Sequence, residues 1–341
     1  MMEKKLTVGV VGLSMGRRYL SASIENGAEI GAICDSNEAV LNEKGDQFQI
    51  PADKRFTDWH ALLHMDELNV IAIATPDQLH REMAEAFLAA GKHVICEKPL
   101  ALTREDLVAI IKAADNAKAK FMVGQVARFN PSKSKIKELA DSGMIGEIFY
   151  LENEYAHDYA KILSANGWRS DPIRHGVVGG GCHAVDMLRW LAGDPTEVFA
   201  YGNHKMLPQV SYDDATIAVL KFPNDVIGKV FVSTGCKRPY TSRTLVYGTR
   251  GTIVWEDTHP EDVLVYTVDE DGISLKPEPE IIKIVMKDHN VTKEFEVFAE
   301  HIRKDTPVLL SALEGAKTVA VCHAIVESSQ TGKPVAPDYN F

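Results

Sequence analysis

Two stretches of this 341-residue chain carry residue types that could do chemistry. The first is Gly12-Leu13-Ser14-Met15-Gly16, directly after the apolar run 6–11. Glycines around a short turn let backbone approach a phosphate, and a helix opening there presents unpaired N–H groups to an anion. A dinucleotide pyrophosphate suits that geometry. The middle glycine of the usual fingerprint is Ser14 here, and the loop is one residue short, so an ordinary glycine turn is the competing reading. Asp35 follows 23 positions after Gly12, at the end of the next apolar run, where a carboxylate accepts ribose hydroxyls. A negative charge there repels a 2′-phosphate and favours NAD over NADP, while Arg17 and Arg18 keep NADP open. Asp35 could also cap the helix that follows. The second stretch is Cys96-Glu97-Lys98-Pro99, at the carboxyl end of another apolar run. Ligands of open α/β sheets bind beyond such ends, and Pro99 holds Lys98 extended, aimed at the crevice. A surface lysine beside a helix-starting proline is the alternative.

The elements that must position these residues show two periods. Apolar, β-branched runs at 6–11, 29–34, 70–74, 93–96 and 121–123 alternate with helical patterns at 15–26, 37–48, 58–65, 79–90 and 104–119. Strands apolar throughout, separated by amphipathic helices, predict parallel strands covered on both faces, a doubly wound α/β domain. Gly27 and Gly91 sit where helices stop, and Thr103 with Asp106 forms a capping signal. After about residue 124 the texture changes. A helix near 132–142 is followed by alternating runs at 147–155, 215–222, 227–234, 245–247, 252–255 and 264–268, with one strong helix at 183–191. That spacing predicts a largely antiparallel sheet. Helical patterns at 293–304 and 310–329 finish the chain. The expected division is a dinucleotide-binding domain over 1–123 and an α+β domain over 124–341.

Composition bounds the function. With 45% hydrophobic and 25% charged residues the chain is globular. Lys+Arg 37 against Asp+Glu 48 leaves a charge of −11, which offers no basic field to nucleic acid and is repelled by anionic lipid. No run approaches the ~18 apolar residues of a spanning helix. The start (Met1-Met2-Glu3-Lys4-Lys5) superficially mimics a secretion signal, but the apolar stretch after it holds two glycines and runs into Arg17-Arg18. Five scattered cysteines without a paired spacing read as reduced thiols of a cytoplasmic protein. Cys182, His183 and Asp186 crowd one helical turn with no fourth ligand, so no metal site is expected. A sheet with one face uncovered predicts a homodimer or homotetramer.

Beyond these readings the sequence resembles the Gfo/Idh/MocA oxidoreductases, the group of glucose–fructose oxidoreductase and inositol 2-dehydrogenase. The resemblance rests on the 12–16 loop, Thr75-Pro76 with His80, and Gly91-Lys92-His93-Val94 leading into Glu97-Lys98-Pro99. It continues through Arg128-Phe129, Gly143-Met144-Ile145-Gly146-Glu147, Trp168-Arg169, His183-Ala184-Val185-Asp186 and Tyr247-Gly248-Thr249-Arg250-Gly251, ending in the 324–328 helix. It implies a Rossmann domain followed by an α+β domain with a large open sheet. The implied activity is NAD-dependent hydride transfer from a sugar, sugar-derivative or inositol-type alcohol. It assigns Lys98 to the substrate hydroxyl and His183 to proton transfer. Gly12, Ser14, Met15, Gly16, Asp35, Thr75, Pro76, His80, Glu97 and Lys98 are then expected at the cofactor. Arg128, Tyr155, His157, Asp158, Arg169 and His183 are expected at the substrate, and Arg174 and His175 are placed with them where the family's second domain faces the nicotinamide. The chemistry suits those types, since an imidazole titrating near neutrality takes a hydroxyl proton and an ammonium steadies an alkoxide.

One departure stands out. Relatives commonly place an aspartate four residues before the histidine, and this chain has Gly179 there, with Ile173-Arg174-His175 replacing a triple glycine upstream. Asp158 and Asp171 are the candidates for a substitute acid. Two further readings follow. In one, retained NAD is used transiently for elimination or glycoside cleavage. In the other, the protein senses NAD without catalysis.

Overall fold

The computed structural model describes residues 5–165, 167–285 and 290–341. The chain forms two compact units, one of residues 1–126, 290–316 and 341, the other of residues 127–289 and 317–340.

The first unit runs β1 (Thr7–Val11), α1 (Leu13–Glu25), β2 (Glu29–Cys34), α2 (Glu38–Gln47), β3 (Arg55–Phe56), β4 (Val70–Ile73), α3 (His80–Ala89), β5 (His93–Glu97), α4 (Arg104–Asn116) and β6 (Phe121–Gly124). Its six strands lie in the order β3-β2-β1-β4-β5-β6, and every pair is parallel. Val8, Val10, Ile33, Ile71, Ile73, Val94 and Ile95 are fully buried, which is why these strands read as unbroken apolar runs. Thr103 Oγ1 accepts the Asp106 N–H at 3.1 Å and opens α4 as the capping signal predicts. The 58–65 pattern forms 3₁₀ turns at Trp59–His64 instead of an α-helix, burying Leu62 alone. With one apolar anchor, so short a segment has no face to hold a full helix.

The second unit contains α5 (Pro131–Asp141), β7 (Ile148–Ala156), α6 (Ala160–Ala165), α7 (Gly176–Gly179), α8 (Cys182–Ala192), β8 (Glu197–Asn203), β9 (Ala215–Lys221), β10 (Ile227–Ser233), β11 (Thr241–Gly248), β12 (Gly251–Glu256), β13 (Asp262–Thr267) and β14 (Glu280–Lys283). Its eight strands are ordered β14-β13-β12-β11-β7-β10-β9-β8. All neighbours are antiparallel except β7 and β10, so the sheet is mainly antiparallel as expected. Helix α8 packs across β7 and β10, burying Val185, Met187 and Leu188. Gly228 of β10 leaves the room for this, because a Cβ there would lie 2.9 Å from Leu188 Cδ2. The other sheet face is open: along β9 Thr216, Ala218 and Leu220 are buried while Ile217 and Val219 are exposed.

Two helices close the chain, α9 (Val291–Lys304) and α10 (Ala312–Thr331). Helix α9 packs against α1, where Asn26 Nδ2 donates to Thr292 O at 3.0 Å. Residues 290–316 thus fold with the N-terminal unit, whereas the sequence reading counts them in the second domain. Among the described residues no helix is long and apolar enough to cross a membrane.

Candidate active site

The carboxyl ends of β1, β2, β4 and β5 carry the residues expected at a dinucleotide. Gly12 ends β1 with φ +84°, a left-handed conformation that favours glycine. A Cβ on it would stand 2.5 Å from Ala74 O, so the turn is closed to side chains. One turn on, a Cβ at Gly16 would lie 2.7 Å from Val10 Cγ1, and its absence lets α1 lie close on β1. Helix α1 therefore starts at Leu13, two residues before the expected start, with Ser14 exposed and Met15 half-buried in its first turn. Asp35 ends β2 with Oδ2 accepting the Leu13 N–H at 2.8 Å, and Oδ1 accepting the Asn37 N–H at 2.9 Å. Its carboxylate is thus pinned beside the opening turn of α1. It does not cap α2; Asn37 does, accepting from Ala39 and Val40. A glycine-closed cradle, a helix N-terminus and a pinned carboxylate at the end of the second strand fit a dinucleotide, and β1 and β4 flank the point where strand order reverses.

The loops beyond β4 and β5 are tied together. His80 is fully buried, with Nδ1 3.0 Å from Pro99 O and Nε2 3.2 Å from Thr75 O. Its ring nitrogens face backbone carbonyls of both loops, so it acts on them from beneath. Pro76 opens the 3₁₀ turn that leads to His80. Lys98 is half-buried, its N–H donating to Glu97 Oε2 at 3.2 Å, and the Lys98–Pro99 bond is cis. Below this, Tyr19 Oη donates to Glu294 Oε2 at 3.2 Å, both groups being fully buried. Burial first, then the charge of Glu97, pushes the Glu294 carboxyl well above the usual range.

In the second unit His183 sits in the first turn of α8, half-buried, its ring 6.2 Å from that of Tyr155. Tyr155 Oη lies 2.9 Å from Tyr159 Oη and 3.4 Å from His157 Nδ1. Tyr240 stands edge-on to both Tyr155 and His157, at 5.6 and 5.4 Å. Burial, followed by Tyr159, pushes the Tyr155 phenol well up, and burial pushes the His157 imidazole down, so both are neutral hydrogen-bonding groups. A Cβ on Gly180 would meet Tyr159 Oη at 2.5 Å, so the turn before α8 lies flush against this cluster. Tyr159 is absent from the sequence expectations; its alternation with Tyr155 and His157 was the available signal.

Other expected substrate contacts have local partners. Arg128 binds Asp186 with both Nε and Nη2 at 2.8 Å, and Asp186 also accepts from Thr318 at 3.0 Å. Asp158 pairs with Lys237 at 3.1 Å and accepts the Ala160 N–H, which holds its carboxyl below the usual range. Asp171 accepts from Ile173 N at 3.1 Å. The guanidinium of Arg169 stacks over Trp168 at 4.1 Å, with Arg174 over the same ring at 4.9 Å. Among the described residues no three His, Cys, Asp or Glu side chains gather in a way that could hold a metal.

Residues 6–125 match the oxidoreductase family with an NAD-binding Rossmann fold, and residues 134–254 match the GFO/IDH/MocA C-terminal domain. The chain belongs to the Gfo/Idh/MocA oxidoreductases. It is an NAD-binding oxidoreductase of that family, as the resemblance implied. Levoglucosan dehydrogenase of Pseudarthrobacter phenanthrenivorans is 28% identical over 66% of each chain. D-apiose dehydrogenase of Rhizobium rhizogenes is 26% identical over 91% of this chain and 90% of its own. Myo-inositol 2-dehydrogenase of Thermotoga maritima is 24% identical over 97% of this chain and 98% of its own. Among solved structures, a levoglucosan dehydrogenase in complex with NADH shares the fold with a TM-score of 0.89, at 24% identity over 98% of this chain and 100% of that one. Gfo/Idh/MocA membership thus agrees with both the parallel sheet of the first unit and the open sheet of the second.

Proposed function

We propose that this Gfo/Idh/MocA oxidoreductase is a dehydrogenase for a ring carbinol of a sugar, sugar derivative or inositol-type alcohol, with Lys98 and His183 serving one bound substrate. Bound NAD supplies the hydride acceptor, while the chain's residues bind, orient and move the proton. Lys98 Nζ, as an ammonium, stabilises the alkoxide that forms as the hydroxyl proton leaves, a contribution of about 3 kcal/mol. His183 takes that proton. In this reading Tyr155 and His157 hydrogen-bond neighbouring hydroxyls, and Asp158 and Arg169 are further candidates for substrate contact. Arg128, bound to Asp186, positions α8. His80 positions the loops that carry Thr75 and Pro99.

The observation that carries this reading is the row of hydroxyl and imidazole groups, Tyr155, His157 and Tyr159, that continues from His183 through the Tyr155 ring. Such groups both donate and accept, which is what a polyhydroxylated ring requires. Relatives named for levoglucosan, D-apiose and myo-inositol support the same substrate class. The test is NADH formation from NAD and a panel of these three compounds and their epimers. Turnover of at least one is expected. Bound nicotinamide that turns a substrate over without net NADH would contradict net dehydrogenation.

A second copy of the chain would cover the open sheet face, where Tyr201, Ile217, Val219 and Ile227 are exposed. All five cysteines are free thiols, which suits a reducing cytoplasm.

A further inference from the structure

The second unit holds a cavity of about 430 Å³ to which no role attaches so far. It lies between the 172–178 turn, the loop at 211–213 and the side of α10 that carries Val326 and Gln330. None of Tyr155, His157, Tyr240 or His183 lines it, so it is separate from the surface beside His183.

Two of its polar groups are fixed in complementary states. His175 is 5% exposed, and its Nδ1 accepts the Val177 N–H at 3.2 Å. Burial pushes its pKa down to about 4, so near neutral pH the ring carries a single proton, on Nε2. Nε2 looks toward Asp213 Oδ2 at 4.0 Å, too far for a hydrogen bond. Neighbouring groups pack against both side chains where they stand. The Tyr212 ring packs on His175 at 5.4 Å and is itself tethered through Oη to Arg169 O at 3.2 Å. Asp213 is wedged against Gly202, where even a Cβ would overlap its carboxylate, and it accepts from Ser329 Oγ at 3.4 Å.

A donor and an acceptor held 4.0 Å apart suit a bridging O–H group, that of a water or of a ligand hydroxyl that displaces it. An oxygen about 2.8 Å from each can accept from Nε2–H and donate to the carboxylate at once. A hydroxyl does both. An ammonium cannot, because the imidazole offers it a proton instead of a lone pair, and an anion is repelled by Asp213. Ser211 and Gln330 add hydrogen-bonding groups, while Ile173, Val178 and Val326 supply the apolar wall on which the C–H face of a sugar rests. The volume is that of a small-ligand site.

We propose that this cavity is a second, non-catalytic binding site for a neutral polyhydroxylated molecule of monosaccharide size, anchored by one hydroxyl that bridges His175 Nε2 and Asp213 Oδ2. The assignment stands whether or not the protein proves to be a dehydrogenase, because it uses no residue of the proposed reaction.

The test titrates the full chain, labelled with ¹⁵N, with D-glucose, D-xylose and myo-inositol, following the ring nitrogens of His175. At least one probe is expected to shift Nε2 saturably, and Asp213→Asn, which keeps the shape and removes the charge, to weaken that binding by about tenfold, or ~1.4 kcal/mol. Crystals soaked in the same probe should show a ring hydroxyl between the two side chains. Absence of a saturable His175 shift with all three probes overturns the proposal on the wild-type chain alone. Unchanged affinity in Asp213→Asn with an unaltered circular dichroism spectrum overturns it equally.

Discussion

The guanidinium of Arg174 occupies the space into which a side chain at Gly179 would project: a Cβ there would lie 2.3 Å from Nη1. Arg174 is 4% exposed, stacked on Trp168 and close to Gly179 O through Nη2 at 3.4 Å. The position at which the family resemblance implies an aspartate is therefore filled by a cation reaching back from the preceding turn.

From this relationship, Gly179→Ala should destabilise the protein by about 1–3 kcal/mol, the usual range for overpacking. The same change in an Arg174→Ala background should be close to neutral, giving a coupling of about 1 kcal/mol or more. Urea denaturation of the four proteins measures it. Equal effects of Gly179→Ala in both backgrounds would show that the two residues do not compete for space.

The Arg128–Asp186 pair predicts a second outcome. The Asp186 carboxylate is 1% exposed and held by two guanidinium contacts at 2.8 Å. Removing one partner of a buried ion pair leaves the other charge stranded, at a cost of about 3–5 kcal/mol. Asp186→Ala should show that loss in chemical denaturation, and a loss below about 1 kcal/mol would contradict it.

Glu294 sets a pH dependence. Its carboxyl titrates well above 4.5 in the folded protein, chiefly through burial. Between the unfolded and folded values the native state holds a proton that the unfolded chain has released, so stability is full at low pH and falls as pH rises. The slope cannot exceed about 1.4 kcal/mol per pH unit for one group. Glu294→Gln keeps a partner for Tyr19 without titrating. Its stability relative to wild type should therefore improve as pH rises above the ordinary carboxylate value of 4.5, as read by thermal unfolding at a series of pH values. Parallel curves for the two proteins would rule the buried acid out.

The open sheet face makes a fourth prediction. Val219 is 54% exposed and Tyr201 65%, on the two strands at one edge of the sheet. Light scattering should find the wild-type chain as a homodimer or homotetramer, and Val219→Glu should shift it toward the monomer. A monomeric wild type would refute the proposed interface.

Much of this molecule was legible beforehand, for identifiable reasons. Parallel strands covered on both faces leave β-branched runs such as Val70–Ile73, and left-handed glycines such as Gly27 and Gly91 mark where helices stop. Strand β8 was missed because it lies at the sheet edge, where alternation is confined to Val198 and Ala200, and Tyr201, Gly202 and Asn203 are open to solvent. The return of α9 to the first unit could not be read, since local periodicity shows a buried face without saying what buries it. The same holds in the site. The glycine cradle at Gly12 and the end of β5 at Lys98 are local features with fixed spacing. The pairing of Arg128 with Asp186, and the contact of Tyr212 with His175, join positions far apart in the chain and leave no sequence pattern.

Kinetics of Lys98→Ala on an alcohol that the wild-type protein oxidises with NAD test the central claim most directly. The account predicts a folded variant that still binds NAD and has lost about 100- to 1,000-fold in kcat. A variant that turns the same alcohol over within about tenfold of wild type would contradict the role of this lysine in the reaction.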